Sequence, residues 1–318
     1  MRSLRSLWIW FLALFVTLTT SVPTEAEPAS LVFINGTPTA VFFNDGDSFR
    51  VLEGPLEGTK ARLAGFNTLE SHGPVHVWGD WHPKELYAIA KYATLNARRG
   101  VWHCESKDMS RDGYGRILFH CPDLRRSQVS NGFAHVMAVG DEAPSPELLH
   151  LQWEAIVHRR GIWAHGVPTF VVTSVHSANE GYEGKTYNRI VSPADGFSDK
   201  WYHNTVFGEC EKACYPAKEL PFDDALKVAS ELRADPQVAE AIRGVPDVVV
   251  AVSVNEYLTL GKVRRITSPA GMEALSRRLS AMNAAGRFQA AKTQPSACMI
   301  YVSFERRYRD PKPVCLKW

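Results

Sequence analysis

From Leu31 the chain alternates. In "LVFINGTPTAVFFNDGDSFRVLEG" apolar and polar residues change places between Gly, Asn and Asp punctuation. That period of two predicts strands joined by tight turns. "TKARLAGF" predicts another strand. The period then lengthens. In "HPKELYAIAKYATLNARRG", Leu86, Ile89, Ala93 and Ala97 recur on one face, Pro83 suits a first helical position and Gly100 suits the stop. "GVWHCES" and "GRILFHC" return to strand. "SPELLHLQWEAIVHRRG" predicts a helix, with Ser145 as cap, Pro146 at the first position and Gly161 at the end. Residues 30 to 168 therefore read as a strand-rich unit with two or three helices.

"HGVPTFVVTS" reads as the join to a second unit. "TYNRIVSPADGFSDKWY" predicts a hairpin turning at Asp195-Gly196. "PFDDALKVASELRADPQVAEAIRG" predicts two short helices divided at Asp235-Pro236. "DVVVAVSV" predicts a buried strand, "SPAGMEALSRRLSAMNAAG" a helix capped by Ser268, and "ACMIYVSFERR" a strand. The expected second unit is a small α+β domain over residues 169–318, without internal repeats.

Composition changes the picture at the N-terminus. Arg2 and Arg5 precede an apolar run from Trp8 to Val16, and Thr24-Glu25-Ala26 places small residues before a cut. This is a signal-peptide pattern over residues 1–26; the alternative is an uncleaved membrane anchor. Both place the body outside the cytosol, periplasmic or secreted. The formal charge is +2 for all 318 residues, and about +1 without the leader, so any nucleic-acid contact must be local. From Lys262 to Lys292 seven basic residues accompany one acid, Glu273. "FERRYRDPK" interleaves Arg306, Arg307 and Arg309 with Phe304 and Tyr308, a pattern that suits single strands. A solvated helix face explains it more simply.

Six cysteines in an exported chain imply disulfides. Cys104 and Cys121 lie symmetrically about Asp112-Gly113 and face each other if that segment is a hairpin. Cys210 with Cys214, and Cys298 with Cys315, are the expected remaining pairs.

Candidate chemistry lies in three segments: "NDGDSF" with Asp45 and Asp47, "ARLAGFNTLE" with Arg62, Asn67, Thr68 and Glu70, and "DGYGR" with Tyr114 and Arg116. Arg62 shares a strand face with residue 64, so Asn67 to Glu70 are expected on a loop beyond the strand's end. Carboxylate, amide and carbonyl oxygens are hard ligands. Arginines clamp phosphates, and a glutamate can take a proton from water. Each segment alone is a common surface pattern. Their order and spacing together are specific.

Over residues 38–165 these segments resemble the staphylococcal (thermonuclease-like) nuclease family. "DGDSF" is similar to its Asp-Gly-Asp-Thr element, "RLAGFNTLE" to its Arg-Leu-(three residues)-Asp-Thr-Pro-Glu element, and "DGYGR" to its Asp-Lys-Tyr-Gly-Arg element. "SNGFAHV" is similar to its Gln-Gly-Leu-Ala-Lys-Val stretch, and "GIW" to the end of its last helix. The resemblance implies an α+β fold: a five-stranded OB-type β-barrel with about three helices, here followed by the smaller C-terminal domain. It implies Ca²⁺-dependent cleavage of DNA and RNA to 3′-phosphate products. Mg²⁺ or another divalent cation is the expected substitute, a monomer is expected, and the short leader with this body reads as bacterial. Asp47, Asn67 and Thr68 would hold the metal, with Asp45 in support. Glu70 would act on water, Arg62 and Arg116 on the phosphate, and Tyr114 would pack near the nucleotide. Asn67 stands where the family has a second metal aspartate, Leu69 where it has proline, and Ala138 and Gly140 where it has tyrosines. The alternative left by those departures is a weakened module that binds nucleic acid or protein.

Three further patterns carry no chemistry. Gly73-Pro74 denies His72 and His76 a shared helix. The neighbours His103-Cys104 and His120-Cys121 point to opposite strand faces. "GKT" at 184–186 lacks the first glycine of a phosphate-binding loop, which is Asn179.

Overall fold

The computed structural model describes residues 29–140, 142–179, 185–303 and 313–318. The expected leader, the Phe304–Arg309 stretch and Gly184 lie outside the described residues.

Strands β1 (Ser30–Ile34), β2 (Thr37–Asp45), β3 (Ser48–Val51) and β4 (Lys60–Leu63) form the expected antiparallel meander. Two short strands run parallel to its edges: β7 (Trp102–Cys104) on β1 and β8 (Ile117–Phe119) on β4. Strands β5 (Gly65–Thr68) and β6 (Val75–Trp78) come between them in the chain. The sheet order is β7-β1-β2-β3-β4-β8. Its outer ends meet, because Glu105 and His120 exchange both backbone hydrogen bonds at 2.8 Å. The Cys104–Cys121 disulfide lies beside that pair, as expected. The sheet thus curls around Phe43, Phe49, Leu63, Ile117 and Phe119, all buried. This is mixed α+β architecture with a curled six-stranded sheet in place of the five strands expected.

Of the loop expected over Asn67 to Glu70, Asn67 and Thr68 are instead in a strand, while Leu69 and Glu70 lie beyond its end. Gly65 takes φ +90°, a left-handed turn that glycine adopts at little cost. The chain changes direction there and begins β5, which pairs antiparallel with β9 (Ala134–Met137). Asn67 and Thr68 are therefore held in a ladder.

Helix α1 (Pro83–Arg99) opens on a capping box between His82 and Glu85 and buries Leu86, Ala90, Ala93 and Ala97. Helix α2 (Pro122–Ser130) precedes β9, and α3 (Pro146–Val157) starts at the Ser145 cap.

Strands β10 (Val171–Val175), β11 (Tyr187–Val191) and β12 (Ser198–Tyr202) form an antiparallel sheet, with the predicted Asp195-Gly196 turn between β11 and β12. Strand β13 (Lys212–Glu219) was not legible in the pattern; Pro216 interrupts it, beside a register shift. Helices α4 (Phe222–Ala234) and α5 (Pro236–Ala239) divide at Asp235, as predicted. The "DVVVAVSV" strand is instead the start of α6 (Asp247–Leu260), ended by Gly261 in the left-handed conformation. Val249 to Glu256 are all buried, and a helix buried all round shows no helical period in its sequence. Helix α7 (Pro269–Ala284) has the Ser268 cap, and β14 (Lys292–Ile300) follows. Arg264 is not on a solvated face. It is 6% exposed, holds Asp195 with two bonds of 3.0 Å and reaches Asp199 at 2.6 Å.

The boundary expected at residue 168 is crossed by a sheet. β14 pairs with β13 on one side and β6 on the other. Leu69, Trp78 and Leu86 share a core with Phe170, Tyr215, Ala297 and Met299. The remaining disulfides are Cys210–Cys315 and Cys214–Cys298, in place of the expected 210–214 and 298–315 pairs. The reason is register: Cys214 and Cys298 are opposite residues of β13 and β14. No helix among the described residues is long and apolar enough to cross a membrane.

Candidate functional site

The turn between β2 and β3 brings Asp47 under the end of β4. Ser48 pairs with Arg62 across β3 and β4. The Arg62 guanidinium spreads between two elements: Nη1 donates to Asp47 Oδ1 at 2.5 Å, and Nη2 to Asn67 Oδ1 at 2.6 Å. Asp47 Oδ2 accepts from the Thr68 amide at 2.7 Å and its hydroxyl at 3.2 Å. Asn67 Nδ2 donates to the Thr68 carbonyl at 2.7 Å. Asp47, Asn67 and Thr68 are all buried. The structure thus gathers Asp47, Arg62, Asn67 and Thr68 into one network.

Asp45 and Glu70 belong to the same electrostatic neighbourhood. Asp45 Oδ1 accepts from the Ser48 hydroxyl at 2.6 Å and the Asp47 amide at 3.2 Å. Burial, then the charges of Asp47 and Glu70, push the Asp45 carboxyl well above its ordinary range; Ser48 and Arg62 oppose them. Three carboxylates are thus crowded near one guanidinium. The backbone N–H of Glu70 donates to His76 Nε2 at 3.4 Å, which ties the glutamate to β6.

His135 escaped the sequence reading, and His76 was weighed there only as a partner for His72. His135, on β9, lies opposite Asn67 with Nε2 3.4 Å from Asn67 Nδ2, and its Nδ1 faces the Val136 carbonyl at 3.1 Å. A proton on Nδ1 satisfies both contacts and directs the Asn67 oxygen to Arg62. Burial lowers the His135 pKa to about 4 and the His76 pKa to about 3. His135 stands inside "SNGFAHV", but nothing local distinguishes it from a core histidine; its role comes from the β5–β9 pairing.

Arg116 and Tyr114 stand apart from this network. Arg116 holds Asp112 with two nitrogens at 2.7 Å. Burial opposes ionisation of Asp112, yet the bonds from Arg116 and Tyr114 keep its carboxyl below the usual range. Ala61 and Ile117 are opposite, buried residues of β4 and β8, so Arg62 and Leu118 turn to the other side. Arg116 is two residues before Leu118. Arg116 itself lies outside the strand, between the turn at Gly115 and the start of β8. Tyr114 is 62% exposed at the turn and lies under the Arg116 guanidinium.

A divalent cation is expected at this network by resemblance. The carboxylate crowding suits one by charge. The donor atoms as arranged do not fit it: Asn67 Oδ1 and both Asp47 oxygens accept from Arg62 or Thr68, and the Thr68 carbonyl accepts from Asn67. Among the described residues no three His, Cys, Asp or Glu side chains form a group that could hold a metal ion. Arg62 occupies the position of positive charge itself. A dication bound through Asp47 and Asn67 has to displace it.

No protein-family model matches the chain, and no curated protein matches it.

Proposed function

We propose that this protein hydrolyses phosphodiester bonds of nucleic acid, DNA or RNA. The single observation behind this is Arg62, held by two side chains at the edge of a crowded carboxylate group that includes Glu70. A planar guanidinium with five donors suits a phosphate. In this reading Arg62 and Arg116 bind the scissile phosphate and stabilise the charge gained by its oxygens. Glu70 accepts the proton of the attacking water. Neutral His135 and Asn67 keep the Arg62 fork in position. The family resemblance of the sequence supports the same reading. No step is assigned to a metal ion.

The test is cleavage of a fluorescent single-stranded DNA by protein starting at Glu27, with Ca²⁺, with Mg²⁺ and with chelator. Cleavage is expected, and Glu70→Gln is expected to lower it by about 10²–10⁴-fold. A folded, oxidised protein that cleaves nothing under all three conditions overturns the proposal.

A second reading has its own observation. The expected metal donors satisfy one another, so the site is stable as a closed ion pair and can serve as a binding module without hydrolysis. Binding of the same DNA without cleavage, unaffected by Glu70→Gln, identifies that case.

A further inference from the structure

One face of the β10–β11–β12 sheet carries aromatic rings and cations in alternation. Tyr187 is opposite Tyr202, and Arg189 is opposite Lys200. Strand alternation puts all four on one side, while Asn188, Ile190 and Trp201 take the other. His176, just past β10, continues the row: its ring is 4.9 Å from Tyr187, which is 5.9 Å from Tyr202. At the other end His176 meets Tyr114. The rings lie 12° from parallel with centroids 6.5 Å apart, and the Tyr114 hydroxyl is 3.2 Å from His176 Nδ1. Lys185 stands over Tyr114 and Tyr187, Lys200 over Tyr187, and Arg116 over Tyr114. The row therefore begins at the phosphate-directed Arg116 and ends at Tyr202.

This face is costly for the protein alone. Tyr202 is 65% exposed, and Lys185 and Lys200 are exposed. Like charges directly opposite on neighbouring strands, as Arg189 and Lys200 are, destabilise a sheet. Among the described residues no carboxylate pairs with Lys185, Arg189 or Lys200. Burial, then these three cations, lower the His176 pKa to about 4, so the ring is neutral and available for stacking.

From this geometry we infer that the face is a binding track for single-stranded nucleic acid, leading the strand away from Arg116. The inference rests on the proposed phosphodiester specificity. Phosphates complement Lys185, Arg189 and Lys200, and unpaired bases stack on the exposed rings; a duplex, whose bases already stack on each other, gains only the charge term. The track also supplies aromatic platforms that the first unit lacks at Ala138 and Gly140. The Ala138 backbone instead pairs with Gly196 and Ser198 at the β11–β12 turn.

The experiment is fluorescence anisotropy with a labelled thymidine oligonucleotide, in chelator, using the full mature chain. A same-length duplex is the competitor. Single strand is expected to bind at least tenfold more tightly than duplex. Tyr202→Ala is expected to weaken it about tenfold, and Lys200→Glu to reduce the salt dependence. Equal affinity for strand and duplex, or unchanged affinity in Tyr202→Ala, overturns the inference. Circular dichroism of each variant verifies its fold; both positions are exposed. Binding needs no hydrolysis, so the two readings fail separately. A protein that binds this way and cleaves nothing keeps the track and loses the hydrolase. One that cleaves a dinucleotide yet treats strand and duplex alike keeps the hydrolase and loses the track.

Discussion

Neutral His135 receives the Asn67 amide on one ring nitrogen and gives its proton to the Val136 carbonyl from the other, so Asn67 presents its oxygen to Arg62. Protonating that ring inside a buried site opposes both burial and the nearby guanidinium. His76 is held neutral by burial and by His135. Both folded pKa values lie below the unfolded value near 6.5. The unfolded chain therefore binds more protons as pH falls through 6.5, and stability declines with it. Above pH 6.5 neither histidine changes the balance. Between pH 6.5 and 4, His135 alone is expected to cost about 3 kcal/mol, read as a falling urea midpoint. His135→Gln, with no titrating ring, should flatten part of that slope. At this scale the sequence exposed Asp47, Arg62, Asn67, Thr68 and Glu70, because order and short spacing carry them. It could not expose His135 or His76, whose partners come from other strands.

Elements meet at close approaches that single residues permit. Gly161 lies beyond α3 with φ +51°, and its backbone lies against Gly132, which precedes β9. A Cβ on Gly161 would overlap the Gly132 carbonyl. That carbonyl accepts the Ile162 amide at 2.8 Å. Gly161→Ala is expected to destabilise the protein by roughly 2–4 kcal/mol, with loss of activity following displacement of β9 and His135; thermal melting checks it. The sequence marked Gly161 as the helix end, but α3 stops at Val157 with His158 as its cap, and Gly161 instead opens the short turn beyond it. The caps at Ser145 and Ser268 and the break at Asp235-Pro236 were legible because they act within a few residues. Helix α6 was not, because burial on every side erased its period. Gly65 hid a strand by breaking one run into two.

For the molecule as a whole, the last described strand completes the first unit. Trp78 and His76 lie on β6, whose ladder partner is β14, and Leu69, Trp78 and Leu86 are covered by residues beyond 168. A fragment of residues 29–168 would expose that apolar surface and an unpaired β6 edge. It is expected to show no cooperative melting and to aggregate, whereas the full chain melts cooperatively; calorimetry with light scattering decides. The composition suggested two units, and the pattern gave most of their elements. Neither could show that β14 is inserted between β13 and β6, since strand order is set by which faces need cover. The disulfides misread from short spacing fail for the same reason.

The position of β14 also sets a clock. Glu70 is tied through its amide to His76, and His76 sits in a strand that has no edge partner until residues 292–300 arrive. A chain emerging from a ribosome or a translocation pore holds the carboxylates and Arg62 early, but their supporting strand stays unpaired through most of synthesis. The strand that carries His76, and through it the Glu70 backbone, is therefore fully paired only once residues 292–300 have been made.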